Sequence, residues 1–254
     1  MTNTAYVELG ALAGDLASAR SPTVRAAASD PPGAVELTSV AQRLGGRWAL
    51  RGVTIRVEPG EVVAIAGANG SGKTTLLRVV ATTLTPTRGS GRVFGHDLVR
   101  EADAVRAVVG MLGHATGLYD DLSAAENLAF ALRMYGVAPT ARGIDAALEA
   151  VEMREHAQDL VRRLSAGMRR RVALARLWLR RPRLLLLDEP YNSFDAAGVE
   201  VVDALVRDTA RTGGAALVVT HDLARSAGVA YDRVIFLNAG RISGDPVRGP
   251  EAVS

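Results

Sequence analysis

Apolar residues fall into three patterns along this 254-residue chain. Short continuous runs occur at Glu61-Val62-Val63-Ala64-Ile65-Ala66, Leu184-Leu185-Leu186-Leu187 and Ala216-Leu217-Val218-Val219-Thr220. Such runs predict strands buried on both faces, as in a parallel sheet. Helical spacing recurs at Leu76, Leu77, Val79 and Val80, at Leu128, Ala131, Leu132 and Tyr135, and at Ile144, Leu148 and Val151. Near 34–66 and 90–95, short β segments between Gly-rich turns predict an antiparallel sheet. The expected fold is α/β: a parallel core from about 61–112 and 183–240, an antiparallel β subdomain, and a helical subdomain over about 115–165. There is no internal repeat.

The ends read differently. Residues 1–33 are rich in Ala, Ser, Thr and Asp and close on Asp30-Pro31-Pro32-Gly33. They lack a basic start, and Glu8 and Asp15 interrupt any apolar stretch, so they are expected to be a tail, with a weak helix over 5–20, and not a secretory signal. The folded domain is expected over 34–245, with 246–254 as a C-terminal tail.

Composition narrows the chemistry. Hydrophobic residues at 48% and charged residues at 22% are ordinary for a globular domain. The absence of Cys excludes a disulfide framework, a thiol nucleophile and Cys-ligated zinc or iron–sulfur sites. No apolar run reaches the roughly 18 residues of a membrane span. A net charge of +3 is a weak argument for a nucleic-acid partner. Lys and Arg total 30, and Lys73 is the single lysine. A compact ammonium fits between phosphate oxygens inside a tight backbone loop where a planar guanidinium is larger and differently shaped.

Lys73 stands in Gly67-Ala68-Asn69-Gly70-Ser71-Gly72-Lys73-Thr74-Thr75, which fits G-x-x-x-x-G-K-[ST] without a mismatch. A predicted strand precedes it and a predicted helix follows, the context of a P-loop NTPase core. Glycines let successive N–H groups curl around phosphates, and the helix N-terminus adds its positive dipole end. Lys73 is expected at the β- and γ-phosphates of ATP and the Thr74 hydroxyl on Mg²⁺. A chance Gly-rich turn would not gather these features around the only lysine.

Asp188-Glu189-Pro190 follows the four leucines, at the sheet edge where doubly wound folds bind ligands. Asp188 is expected to hold Mg²⁺ and Glu189 to polarise the attacking water. The strand over 216–220 delivers His221 in the same register, where it can meet the γ-phosphate. His96 and His156 read as surface residues.

Between loop and acid pair lies Leu164-Ser165-Ala166-Gly167-Met168, followed by Arg169-Arg170-Arg171. This resembles the LSGGQ signature of ABC-transporter ATPases. Lysine loop, signature, Asp-Glu pair, Ser193-Phe194-Asp195 and His221 come in that family's order, over about residues 34–245. The resemblance implies a nucleotide-binding domain acting as a homodimer, each ATP held between one copy's lysine loop and the other's signature. Ser165, Ala166, Gly167 and Asp195 would then reach ATP in trans. It also implies a membrane-spanning partner, a peripheral place on the cytoplasmic face of the cell membrane, and no nucleic acid. Ala166 and Met168 depart from the usual Gly and Gln, but the Ser hydroxyl and the second Gly remain. The three arginines read as a solvated helix face.

Two further departures carry information. His114, in Val109-Gly110-Met111-Leu112-Gly113-His114, stands where most members have Gln, and is expected to sense the γ-phosphate. Leu44 stands where most have an adenine-stacking aromatic, with Trp48 nearby. The Gly-His pair, the Leu-Ser-Ala-Gly signature, Arg171–Leu179 and Leu122–Leu128 together are similar to the ATP-binding subunits of cytochrome c maturation haem exporters. Ser123 and Glu126 also form a capping box. Competing readings are the ATPase of an exporter for drugs, lipids or polysaccharide, a non-transport ABC protein acting on DNA or the ribosome, and a nucleotide-dependent adaptor with little hydrolysis.

Overall fold

A computed structural model describes residues 32–221 and 229–248, without the side chains of 193 and 245–248. Nearly all of the expected N-terminal tail (1–31 of 1–33) and most of the C-terminal one lie outside the described residues. The chain forms two compact units, residues 116–180 and the described parts of 32–115 and 181–248.

The larger unit carries two sheets. Strands β1 (Val35–Leu44), β2 (Arg47–Val57), β4 (Arg88–Val93) and β5 (His96–Asp97) form an antiparallel sheet in the order β2-β1-β4-β5. The second sheet contains β3 (Val62–Ala66), β6 (Val109–Leu112), β7 (Leu184–Asp188), β8 (Ala215–Val219), β9 (Arg233–Asn238) and β10 (Arg241–Arg248). Among the described residues its order is β10-β9-β3-β8-β7-β6, parallel except for β10. β3, β7 and β8 are buried at every residue. Being covered on both faces explains why they read as unbroken apolar runs. Helices α1 (Lys73–Val80), α2 (Ala102–Val108) and α6 (Ala196–Arg211) belong to this unit. Leu76, Leu77, Val79 and Val80 from α1 join Ile65, Leu186, Leu217 and residues of the antiparallel sheet in one core.

The smaller unit is helical: α3 (Ala124–Met134), α4 (Ala141–Ala150) and α5 (Ala166–Arg180). The capping box opens α3 as its sequence requires. Glu126 N–H donates to Ser123 Oγ over 3.2 Å, and Ser123 N–H donates to Glu126 Oε2 over 2.8 Å. Buried Asn127 fixes the preceding loop, accepting from Tyr119 N–H and donating to the carbonyls of Tyr119, Leu122 and Ser123. The unit continues past 165 to Arg180, so the helix following the signature belongs to it.

The arginine run departs from the expected solvated face. Arg170 is only 7% exposed, and Arg171 donates to the Val151 carbonyl and pairs with Glu152. The reason is that α5 packs against α4 and α3, which puts this stretch of its surface inside the helical unit.

Candidate functional site

The phosphate loop is built where β3 stops. Ala66 ends the strand and Lys73 starts α1, so Gly67–Gly72 must turn the chain. Gly67 has φ +149°, and a Cβ there would stand 2.1 Å from the Leu237 carbonyl oxygen. Gly72 has φ +109°, and its Cβ would fall 2.5 Å from the Ala49 carbonyl oxygen. The end of β9 and Ala49 of β2 thus wall the loop, and from the turn after β9 Gly240 N–H donates to the Ser71 carbonyl over 2.9 Å. Ser71 N–H closes the loop on the Ala68 carbonyl at 3.1 Å, while Asn69 and Gly70 are exposed at its tip.

Lys73 is buried, and its Nζ donates to the carbonyls of Gly67 (2.7 Å) and Ala68 (3.0 Å). The loop's own carbonyls therefore hold the ammonium at the loop. No acidic residue sits in the first turn of α1, so nothing in that turn neutralises its positive pole. Thr74 and Thr75 follow in that turn, both half-buried. Thr74 donates its hydroxyl to Asp188 Oδ2 over 2.8 Å. Two hard oxygen donors on a helix start and a strand end suit Mg²⁺, which takes one or two carboxylates and fills its other positions with phosphate and water.

Asp188, 1% exposed, is the last residue of β7. Glu189 leaves the strand with φ 49° and ψ 54°. The left-handed region is costly for a side chain with a Cβ, and more so before a proline. Glu189 is held there by a 2.9 Å bond from its N–H to the Val219 carbonyl on β8. Its carboxylate meets His221 Nδ1 at 2.8 Å and accepts from Asn192 Nδ2 at 3.4 Å. His221 itself is exposed.

His114 lies two residues beyond β6, whose Leu112 pairs with Leu187 of β7. Register thus delivers exposed His114 to the sheet edge that carries Asp188 and Glu189. Leu44 is 40% exposed at the end of β1. Trp48 is half-buried, and its ring is already met by the guanidinium groups of Arg43 (6.0 Å) and Arg88 (5.4 Å).

In the helical unit Ser165 caps α5, its Oγ accepting from Met168 N–H at 3.2 Å. Ala166 and Gly167 form the first turn. Asp195 caps α6, accepting from Gly198 N–H at 3.0 Å. Each residue expected to reach ATP in trans is therefore at a helix start. Sequence reasoning missed Asn192 and the wall formed by Leu237 and Gly240. The Ala239-Gly240 turn dipeptide after an apolar strand signals a hairpin, but its approach to the loop is a tertiary fact. No described helix is long and apolar enough to cross a membrane.

Residues 50–192 match the sequence pattern of a family described as ABC transporter. A cytochrome c biogenesis ATP-binding export protein CcmA from Cupriavidus necator is 41% identical over 178 residues, 70% of this chain and 78% of that one. The daunorubicin resistance ATP-binding protein DrrA3 from Streptomyces coeruleorubidus is 37% identical over 211 residues, 82% of this chain and 66% of that one. Among solved structures, a dimeric ATP-binding cassette in a post-hydrolysis state with ADP and Pi superposes with a TM-score of 0.73 at 26% identity, covering 84% of this chain and 98% of that one.

Proposed function

Given that the chain belongs to the ABC transporter family as an ATP-binding subunit, we propose that it hydrolyses ATP to drive the haem exporter of cytochrome c biogenesis. The observation that carries the catalytic part is the meeting of Thr74 with Asp188 and of Glu189 with His221 at one sheet edge. The haem assignment is supported by the CcmA relative from Cupriavidus necator.

Loop N–H groups and Lys73 bind the β- and γ-phosphates. Thr74 and Asp188 would hold Mg²⁺, which when bound would neutralise phosphate charge. Glu189 orients the attacking water through its carboxylate and takes up its proton. His221 steadies that carboxylate and stands with His114 on the γ-phosphate side. Two copies close around two ATP, with Ser165, Ala166, Gly167 and Asp195 of one copy facing the other copy's phosphates. The dimeric cassette that shares this fold supports this arrangement. The helical unit, through the loop after His114, couples to a membrane-spanning partner at the cytoplasmic face.

A second reading, the ATPase of a drug exporter, is favoured by the DrrA3 relative, which is 37% identical over 82% of this chain. One experiment separates the two. Tagged Glu189→Gln chain is purified from native membranes with ATP, co-purifying proteins are identified by mass spectrometry, and the absorption spectrum is recorded. A membrane complex with a haem spectrum is expected. A different permease without haem would replace the cargo and keep the catalytic assignments.

A further inference from the structure

The turn after Glu189 carries a group that ATP chemistry does not use. Tyr191 follows Glu189 with only Pro190 between them and is 2% exposed. Its hydroxyl donates to Asp203 Oδ1 over 2.9 Å, and Asp203, on α6, is 3% exposed. A third buried polar side chain, Tyr231, adjoins them: burial first, then Tyr231, then Asp203 hold the Tyr191 hydroxyl far above its ordinary pKa. Tyr191 therefore keeps its proton and remains a donor throughout the working range of the protein. Tyr231 is itself anchored, because neighbouring Asp232 bonds Val62 at the start of β3 twice, N–H to carbonyl at 2.9 Å and carboxylate to N–H at 2.8 Å.

A buried carboxylate and phenols are costly in an apolar interior unless hydrogen-bonded, and a satisfied buried network rigidifies the segments it ties together. What needs fixing is close by. Glu189 is strained in the left-handed region, and such strain persists only where the surroundings over-determine it. The Val219 bond holds the N–H of Glu189. On its C-terminal side the chain passes through rigid Pro190 directly to Tyr191, the next residue anchored by its side chain.

We infer that Tyr191 and Asp203 are positioning residues for hydrolysis: the Tyr191–Asp203 bond, with Tyr231 beside it, locks the turn that aims the Glu189 carboxylate. The inference rests on the proposed role of Glu189. The same turn carries Asn192, whose amide reaches Glu189 Oε2, so the lock sets both the backbone and one partner of the carboxylate.

The test uses full-length chain recovered with its membrane partner, in four variants: Tyr191→Phe/Asp203→Leu, Asp203→Ala, Asp203→Asn and Glu189→Gln. Melting temperature, MgATP affinity and turnover are read for each. Replacing both partners by apolar groups of similar shape removes the donor together with its acceptor, so the double variant should melt closer to wild type than Asp203→Ala does. Its turnover should still fall about 10- to 100-fold at unchanged MgATP affinity, as a small misplacement of a catalytic group produces. Asp203→Asn keeps an acceptor for the Tyr191 hydroxyl and should retain turnover within about twofold, whereas Asp203→Ala should not. A stable double variant with wild-type turnover, or equal turnover in Asp203→Asn and Asp203→Ala should the double variant not fold, overturns the inference. Glu189→Gln with wild-type turnover overturns the Glu189 assignment as well. Loss of turnover there beside an unaffected double variant overturns the positioning role alone.

Discussion

His221 Nδ1 and Glu189 Oε2 stand 2.8 Å apart, linking the ends of two adjacent parallel strands across 32 residues of sequence. The imidazole meets the carboxylate that is proposed to orient water, so its contribution passes through Glu189 as well as through phosphate. His221→Ala should lower ATP turnover about 10- to 100-fold while leaving MgATP affinity within a few fold. Turnover and equilibrium binding measured on the same preparation check this. A variant that loses affinity and keeps turnover would move His221 from hydrolysis to nucleotide capture.

Removing the carboxylate itself gives a different readout. Glu189→Gln keeps the volume and the Asn192 contact but cannot take a proton, so turnover should fall about 100-fold or more. Bound ATP then persists, and the two copies should stay closed around it. Size-exclusion chromatography of this variant should show a dimer with ATP and a monomer without. A monomer under both conditions would remove the sandwich arrangement.

The loop glycines make graded predictions for stability. At Gly67 an added Cβ meets the Leu237 carbonyl oxygen at 2.1 Å, backbone that cannot swing aside. Gly67→Ala should cost about 3 kcal/mol. At Gly45, in the turn between β1 and β2, φ is +52° but nothing lies within 4 Å. There the loss should be about 1 kcal/mol, the left-handed backbone term alone. Urea unfolding of both variants measures the difference, and equal losses would mean that the wall formed by Leu237 does not crowd the loop.

Much of this architecture is readable from the chain, for a physical reason. β3, β7 and β8 are covered on both faces, so burial writes itself as Val, Ile, Leu and Ala runs without interruption. The loop is readable because its conformation demands glycine at Gly67 and Gly72. Helix starts at Ser123 and Ser165 follow from local hydrogen bonding. The illegible parts depend on tertiary packing. Arg170 looks like a surface residue until α5 is placed against its neighbours. Trp48 stands near Leu44 in sequence, but that Arg43 and Arg88 meet its ring is visible only in the fold. Tyr191 and Asp203 are twelve residues apart, and no local rule pairs a phenol with a carboxylate at that spacing.

The capping box gives a pH dependence with a defined sign. The Ser123 N–H first, and the Ser123 side chain second, hold the Glu126 carboxyl below its ordinary value. A carboxyl with a lower pKa in the folded state stabilises the fold above its ordinary pKa, and that contribution is lost as pH falls through the folded value. Glu126→Gln should therefore melt below wild type at neutral pH. The gap should close as pH drops beneath the ordinary carboxylate range. A gap that stays constant into acid would assign it to side-chain geometry instead of charge.

The single lysine invites a substitution that keeps its charge. Lys73 is 7% exposed and its Nζ sits between the carbonyls of Gly67 and Ala68, at 2.7 Å and 3.0 Å. An ammonium directs three donors from one atom and can serve both carbonyls and a phosphate oxygen together. A guanidinium spreads its donors over a rigid plane that this enclosure does not match. Lys73→Arg should weaken MgATP binding about 10- to 100-fold, the worth of a lost charge-assisted bond, and Lys73→Ala at least as much. Titration with a fluorescent ATP analogue compares the two variants at constant ionic strength. Near-wild-type affinity in Lys73→Arg would show that the loop reads only charge, and the shape argument for its lone lysine would fail.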